Sequence, residues 1–374
     1  MGEQAHLKQE VSPDKSLLSV QDLAKAFPVK SGFVMKKTIA EIGAVDGVSF
    51  SIERGTTLGL VGESGSGKTT VGRLILGTHK PSAGHILFNG NDLSKASKKE
   101  IKSVRRKMSV IFQDPMSSLD PRMSVYDVVS EPLTINTSLD KSAKREKVKE
   151  LLERVGLRAS DMEKYPQQFS GGQRQRIAIA RAIALSPELI IADEAVSALD
   201  VSVQSKIITL LMSLQKETNA AFLFIAHDLS VVRYMSHKVA VMYLGKLFEY
   251  GPTAKIFSNP LHPYTMALLS AVPRPDPDFV QRRIILSGEI PSPSAPPSGC
   301  RFRTRCQYAR DFCAEKEPEF REATPGHFVY CHFYEEIAAN RKGQADSAGP
   351  SSEPREGVAD GVQIQSSSEE AALR

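Results

Sequence analysis

The sequence predicts an α/β fold built on a parallel sheet. Three observations carry that expectation. Short, continuously apolar runs recur at Thr57–Val61, Glu188–Ala192 and Ala221–Ala226, the pattern of strands buried on both faces. Helical patterns lie between them, at Thr69–Leu76 and Gln173–Leu185, and strand–helix alternation marks an α/β core. Each apolar run ends in a loop of chemically distinctive residues: Gly62–Lys68, Asp193–Glu194 and His227–Asp228. Ligands of open α/β sheets bind beyond the carboxyl ends of the strands, where these loops fall.

The composition fits such a fold. Of 374 residues, 41% are hydrophobic and 24% charged, which excludes whole-chain disorder, collagen-like and coiled-coil classes. The balance of 48 basic against 43 acidic residues gives a net charge of +5. That permits an anionic ligand or an anionic membrane surface without demanding nucleic acid. No apolar run approaches the length of about 18 residues that a membrane span needs. The first fifteen residues carry no apolar signal core, so the chain is expected to remain in the cytosol.

Taken in order, residues 1–15 read as a flexible tail. The strand Thr57–Val61 then leads into Gly62-Glu63-Ser64-Gly65-Ser66-Gly67-Lys68-Thr69, followed by Thr70, which fits G-x-x-x-x-G-K-[ST]. Glycines let the backbone wrap closely, so that successive N–H groups point at phosphate oxygens. The helix that follows aims its positive end at the same anion. Lys68 supplies a mobile charge for the β- and γ-phosphates, and Thr69 a hydroxyl for Mg²⁺. From about 93 to 165 the pattern turns to charged helical stretches with no clear buried strand, Lys98–Lys107 and Lys141–Val155 among them. The reading is a helical insertion, and the basic run on Lys98–Lys107 is a solvated helix face. Asp193 ends the strand Glu188–Ala192 where a phosphate site needs an acidic metal ligand. Glu194 beside it is placed to polarise an attacking water.

Phe169-Ser170-Gly171-Gly172-Gln173, followed by the helix RQRIAIARAIAL, resembles the signature motif of ABC ATPases. Gly62–Thr70, Gln113 after an apolar run, Asp193-Glu194, Ser197–Asp200 and His227 complete that family's motif set in the right order. The resemblance covers about Leu17 to Asn259 and implies a P-loop NTPase (RecA-like) ABC cassette over residues 16–270, with a helical subdomain at about 93–185. It also implies that two cassettes stack head to tail, so that the signature Ser170, Gly171, Gly172 and Gln173 closes on the ATP of the partner. On this resemblance Gln113 senses the γ-phosphate or Mg²⁺, His227 contacts the γ-phosphate, and Asp200 lies at the dimer seam. An aromatic stacks on adenine, and Phe27 is the choice, with Phe33 its competitor.

A narrower resemblance appears in FQDPMSSLDPRMSV (112–125), DEAVSALDVSVQ (193–204) and NPLHPYTMALLSAVP (259–273). These are similar to ATP-binding subunits of dipeptide and oligopeptide importers. The Pro-Thr common after the Asp-Glu pair is Ala195-Val196 here, a departure that leaves Glu194 intact. The resemblance implies a second ATPase subunit (a heterodimer, with a homodimer as alternative), two transmembrane permease subunits and, indirectly, a substrate-binding protein. It implies a peripheral place on the cytoplasmic face of the membrane and no nucleic-acid partner. A soluble ABC ATPase of DNA repair or translation, and an iron–sulfur sensor in which the cassette is secondary, are the competing classes.

Cys300, Cys306, Cys313 and Cys331 are separated by 5, 6 and 17 residues. This is neither a zinc-ribbon pair nor a ferredoxin run. They fall in 271–340, after the proline-rich Pro291–Pro297, and are expected to form a small domain outside the ATPase core. The resemblance to peptide importers implies a four-iron four-sulfur cluster there, with zinc or no metal as alternatives. Arg301, Arg303 and Arg305 would then offset the charge of the thiolates. Residues 341–374 read as a disordered tail, low in apolar content and rich in Gly, Ser, Glu and Pro.

Overall fold

The computed structural model describes residues 16–31, 37–114, 118–273 and 283–347. The tail expected at 1–15, the competitor Phe33 and most of the C-terminal tail lie outside them. The chain opens on β1 (Ser16–Ser31) and β2 (Lys37–Glu53), which pair antiparallel with several register shifts. Then come β3 (Thr57–Val61), α1 (Lys68–Ile75), β4 (Ala83–Phe88), β5 (Asn91–Asp92), α2 (Lys98–Arg105) and β6 (Met108–Ile111). The helical section holds α3 (Val125–Asn136), α4 (Lys141–Arg154) and α5 (Gly171–Ile183). The core resumes with β7 (Leu189–Asp193), α6 (Val201–Thr218), β8 (Ala221–Ala226), α7 (Leu229–Met235), β9 (Lys238–Tyr243) and β10 (Lys246–Pro252). The chain continues through α8 (Thr253–Ser258), α9 (Pro263–Ser270), α10 (Phe312–Glu315), β11 (Phe320–Thr324), β12 (His327–Tyr330) and α11 (Tyr334–Ser347).

The expected α/β core is present. Strands β6, β7, β8, β3 and β9 run parallel in one sheet. Leu58, Leu60, Ile190, Ile191, Phe222 and Phe224 are buried at these positions, and continuous apolar strands are what a sheet covered on both faces requires. A second, antiparallel sheet in the order β2-β1-β4-β5 was not legible beforehand. β6 corrects the expectation of an all-helical insertion: Met108–Ile111 pairs in parallel with Leu189–Ala192. Four residues flanked by a charged run are too short to register as a periodic signal.

The helical section itself is as expected from about residue 125. Val125, Val129 and Leu133 of α3, Val148, Leu151 and Leu152 of α4, and Ile177 and Ile179 of α5 share one buried cluster. Ser124 and Asp140 cap α3 and α4, each accepting the N–H three residues on, which satisfies a donor the helix leaves open. Within the basic run, Arg105 donates to the carbonyls of Leu76 and Gly77 at 2.9 and 2.7 Å. Lys107 pairs with Glu188 at 2.8 Å.

The cysteine segment is not a separate domain. β12 pairs antiparallel with β10, and β11 with β12, so this segment completes the main sheet in the order β11-β12-β10-β9-β3-β8-β7-β6. Phe302 lies 5.5 Å from Tyr243 of β9 and 5.4 Å from Tyr264 of α9, ring centre to ring centre. Buried Glu249 of β10 accepts the N–H groups of Leu261 and His262 at 2.8 and 2.9 Å and faces the His327 ring nitrogen of β12 at 2.7 Å. A buried carboxylate needs such partners to offset its lost hydration. Burial also pushes the His262 ring down to about 3, so it stays neutral, and its Nδ1 accepts the Tyr264 N–H. α11 runs on to Ser347, past the point at 341 where the tail was expected to begin; residues 348–374 lie outside the described residues.

Candidate functional site

The glycine-rich loop joins β3 to α1 at the carboxyl edge of the sheet. Gly67 takes φ +106 at the residue before α1, a conformation that costs a side chain dearly. A Cβ there would also stand 2.2 Å from the Ala44 carbonyl of β2. Lys68 is 4% exposed. Its Nζ donates to the carbonyls of Gly62 and Glu63 at 2.7 and 2.9 Å, and lies 3.4 Å from the Ser66 hydroxyl. The loop's own carbonyls therefore fix where this charge sits. Burial lowers the Lys68 pKa, opposed by the charges of Glu194, Asp193 and Glu63.

Thr69 donates from Oγ1 to Asp193 Oδ1 at 3.0 Å. The structure thus brings together two of the predicted residues, 124 positions apart. One hydroxyl and one carboxylate are the donors a nucleotide-bound Mg²⁺ takes from a protein, with phosphate and water supplying the rest. Burial raises the Asp193 pKa, against the hydrogen bond from Thr69.

Glu194 follows with φ +50. A non-glycine residue in this region is held there by its surroundings, and here its N–H donates to the Ile225 carbonyl of β8 at 2.9 Å. Its Oε2 lies 3.6 Å from Nδ1 of His227, which is half exposed. The two therefore border the same edge, a carboxylate beside an imidazole at the mouth of the site. Ala195 and Val196, the departure from Pro-Thr, are buried in the core cluster. Gln113 is exposed two residues past β6, whose neighbour β7 delivers Asp193.

Ser170 caps α5: its Oγ accepts the Gln173 N–H at 3.3 Å while Gln173 Oε1 accepts the Ser170 N–H at 3.0 Å. This capping box satisfies two N–H donors of the first turn, and Ser170, Gly171 and Gln173 are exposed. A Cβ on Gly172 would meet Val203 of α6 at 2.5 Å, so that glycine permits the helix contact. Asp200 caps α6, accepting from the Val203 N–H at 3.0 Å and the Ser202 hydroxyl at 2.8 Å. These bonds lower its pKa. Phe27 is internal to β1 and not at its end; it faces Ile42, one pair beyond Ala26–Gly43. Its ring meets His79 edge-on at 5.5 Å and lies under Lys25 Nζ at 5.1 Å.

The four cysteines are free thiols. Burial first, then the nearness of the other three, pushes Cys300 up to about 12. Burial raises Cys306 and Cys331 to about 11. Among the described residues, however, no three His, Cys, Asp or Glu side chains form a metal-holding group. The thiols are neighbours without being arranged as ligands, and no step below passes through a metal at this place. The arginines also do not serve the thiols: Arg301 pairs with Asp46, Arg303 donates to the Ser298 carbonyl, and Arg305 pairs with Glu63.

Two contacts to the glycine-rich loop were missed by sequence reasoning. Arg305 grips the Glu63 carboxylate at 2.6 and 3.1 Å, and Tyr264 OH accepts the Glu63 N–H at 2.9 Å. The available signal was an arginine in an aromatic, cysteine-bearing segment, where a carboxylate partner is required.

The chain matches the model of the ABC transporter family over residues 45–197 and that of the oligopeptide/dipeptide transporter C-terminal region over 248–313. It is 52% identical to the oligopeptide transport ATP-binding protein AppF of Bacillus subtilis, over 86% of this chain and 98% of that one. It is 47% identical to the dipeptide transport ATP-binding protein DppF of Haemophilus influenzae, over 87% and 99%. Among solved structures, cbiO1 of Clostridium perfringens, part of the ABC transporter complex cbiONQ, superposes with a TM-score of 0.57 at 29% identity, over 66% of this chain and 92% of that one. The cassette MJ0796, in a dimeric post-hydrolysis state bound to ADP and Pi, gives 0.56 at 28% identity, over 63% and 98%. With the loop, the strand-end acids and the signature helix in place, the chain belongs to the ATP-binding, ATP-hydrolysing subunits of ABC transporters, in the group that carries the oligopeptide/dipeptide C-terminal region.

Proposed function

We propose that this ATPase energises the import of di- and oligopeptides, or of a related small solute. It acts from the cytoplasmic face of the membrane with a second ATPase subunit and two membrane-spanning permeases, and a substrate-binding protein delivers the cargo. The observation that carries the reading is the pairing of a complete cassette with a peptide-importer C-terminal region in one continuous sheet. Among the described residues no helix is long and apolar enough to cross a membrane, so passage of solute is assigned to the permeases.

Each residue has a role in the cycle. Phe27 stacks on adenine. The backbone of Gly62–Thr70, with Lys68, wraps the phosphates, and Thr69, Asp193 and Gln113 would hold Mg²⁺, which would offset the phosphate charge. Glu194 orients and deprotonates the attacking water, and His227 steadies the γ-phosphate. Ser170, Gly171, Gly172 and Gln173 present the solvent-facing first turn of a helix to the γ-phosphate bound by the partner cassette, with Asp200 at the seam. ATP draws the two cassettes together, and the Gln113 joint passes the motion through the helical section to the permeases. Hydrolysis resets the pair. Because the signature serves a partner's ATP, the isolated chain is expected to hydrolyse slowly, with a more than first-order dependence on its concentration. Specific activity that stays constant on dilution to nanomolar levels would count against this composite site.

The four cysteines lie near one another but not in a metal-holding arrangement among the described residues, so a shared iron–sulfur or zinc centre is proposed to require their side chains to turn toward a common point. Its support is the mutual proximity of the thiols and the burial of Cys300 and Cys313, with Cys306 and Cys331 partly buried. Purification without oxygen is the test. Brown protein with broad thiolate-to-iron absorbance establishes an iron–sulfur cluster, and colourless protein with one zinc per chain establishes zinc. Metal-free protein removes the proposal and leaves four structural thiols.

A further inference from the structure

The cysteine segment touches the phosphate loop at its back. Arg305 is buried and binds both oxygens of Glu63, the second residue of the loop. Tyr264 holds the Glu63 N–H from the other side. The guanidinium rests 5.8 Å from the ring centre of Tyr243, which fixes its plane. A second arginine of the same run, Arg301, donates to the Leu244 carbonyl and pairs with Asp46. The next residue, Gly245, donates its N–H to the Ser66 carbonyl of the loop at 2.9 Å. The loop is therefore gripped at Glu63 directly and at Ser66 through one turn.

This grip has a chemical consequence. Lys68 Nζ is held by the carbonyls of Gly62 and Glu63, so the orientation of the Glu63 peptide sets where the phosphate-binding charge stands. A bidentate arginine–carboxylate pair fixes orientation as well as distance. We propose that the C-terminal cysteine segment is a positioning clamp for the ATP site, with Arg305 as the positioning residue that acts through Glu63 on Lys68. The assignment rests on reading Gly62–Thr70 as the ATP loop. It gives the C-terminal segment a role in nucleotide affinity, where the sequence placed it outside the ATPase core.

Equilibrium binding of labelled MgATP to the full chain tests the clamp; the chain has no Trp to report binding. Arg305→Met is expected to weaken binding about tenfold, since displacing a positioned charge by a fraction of an ångström is felt at this level. Arg305→Lys, which keeps the charge and loses the fork, should recover part of the loss. Glu63→Gln, of equal size, should weaken binding in the same direction. The double variant Arg305→Met with Glu63→Gln should be no weaker than Arg305→Met alone, because both act through one contact. In the assembled complex the KM for ATP should rise while kcat holds, whereas a general loss of folded protein would lower kcat.

Wild-type affinity in Arg305→Met, or fully additive losses in the double variant, overturns the clamp. If Arg305→Met does not fold, Glu63→Gln decides, and unchanged binding there overturns it equally. Lys68→Ala is measured alongside. Undiminished binding in that variant removes the underlying reading of the loop, a failure distinct from that of the clamp.

Discussion

Glu194→Gln is expected to bind ATP as the wild type does and to hydrolyse it about 10²–10⁴-fold more slowly, the contribution of a positioned general base. The substitution keeps size while removing the carboxylate's charge and its capacity to take a proton. The strand-end backbone that sets Glu194 at φ +50 is anchored by its own N–H to Ile225, not by the side chain. The fold and the Thr69–Asp193 pair should therefore persist. His227, 3.6 Å away, cannot replace the carboxylate as base without moving. Single-turnover hydrolysis in the assembled complex, read beside ATP binding, checks the assignment; a wild-type rate would show that another group takes the water's proton.

Gly67→Ala is expected to lose ATP binding by about 10²-fold, the scale on which a shift of roughly 1 Å in a positioning element is felt. Two independent obstacles meet at this residue. The first is φ +106, and the second is the Ala44 carbonyl 2.2 Å from the new methyl group. That oxygen belongs to the backbone of β2, so no rotamer change relieves the clash. The loop must shift, and α1 begins at the next residue with Lys68 and Thr69 in its first turn. The core strands Leu58–Val61 and Phe222–Ala226 are untouched, so the far-UV spectrum should stay native. Labelled-ATP binding at the wild-type affinity would mean that the loop tolerates the displacement.

What was legible in the sequence was local in the chain or repeated at a fixed period. The phosphate loop needs its glycines and lysine within eight residues, and the apolar runs of β3, β7 and β8 are continuous. Asp193, Glu194 and His227 stand out as candidates because strand ends are where such sheets place chemistry. The rest depends on pairing between distant segments. β6 is too short to announce itself, and β12 reaches β10 across nearly eighty residues: Tyr250 pairs with Phe328. Arg305 and Glu63 are 242 positions apart, and no spacing rule joins them. Asp200 shows a different limit. It caps α6 through Val203 and Ser202, a local role that accounts for its residue type without any partner.

ATP hydrolysis at this chain's site drives solute across a membrane. The most direct measurement is accumulation of a radiolabelled dipeptide in proteoliposomes. These carry the chain with its partner ATPase and permease pair, with binding protein outside and MgATP enclosed. Accumulation is expected to require enclosed ATP, and Glu194→Gln in this chain is expected to abolish or sharply reduce it. Accumulation at the wild-type rate with Glu194→Gln, or without ATP, would contradict this.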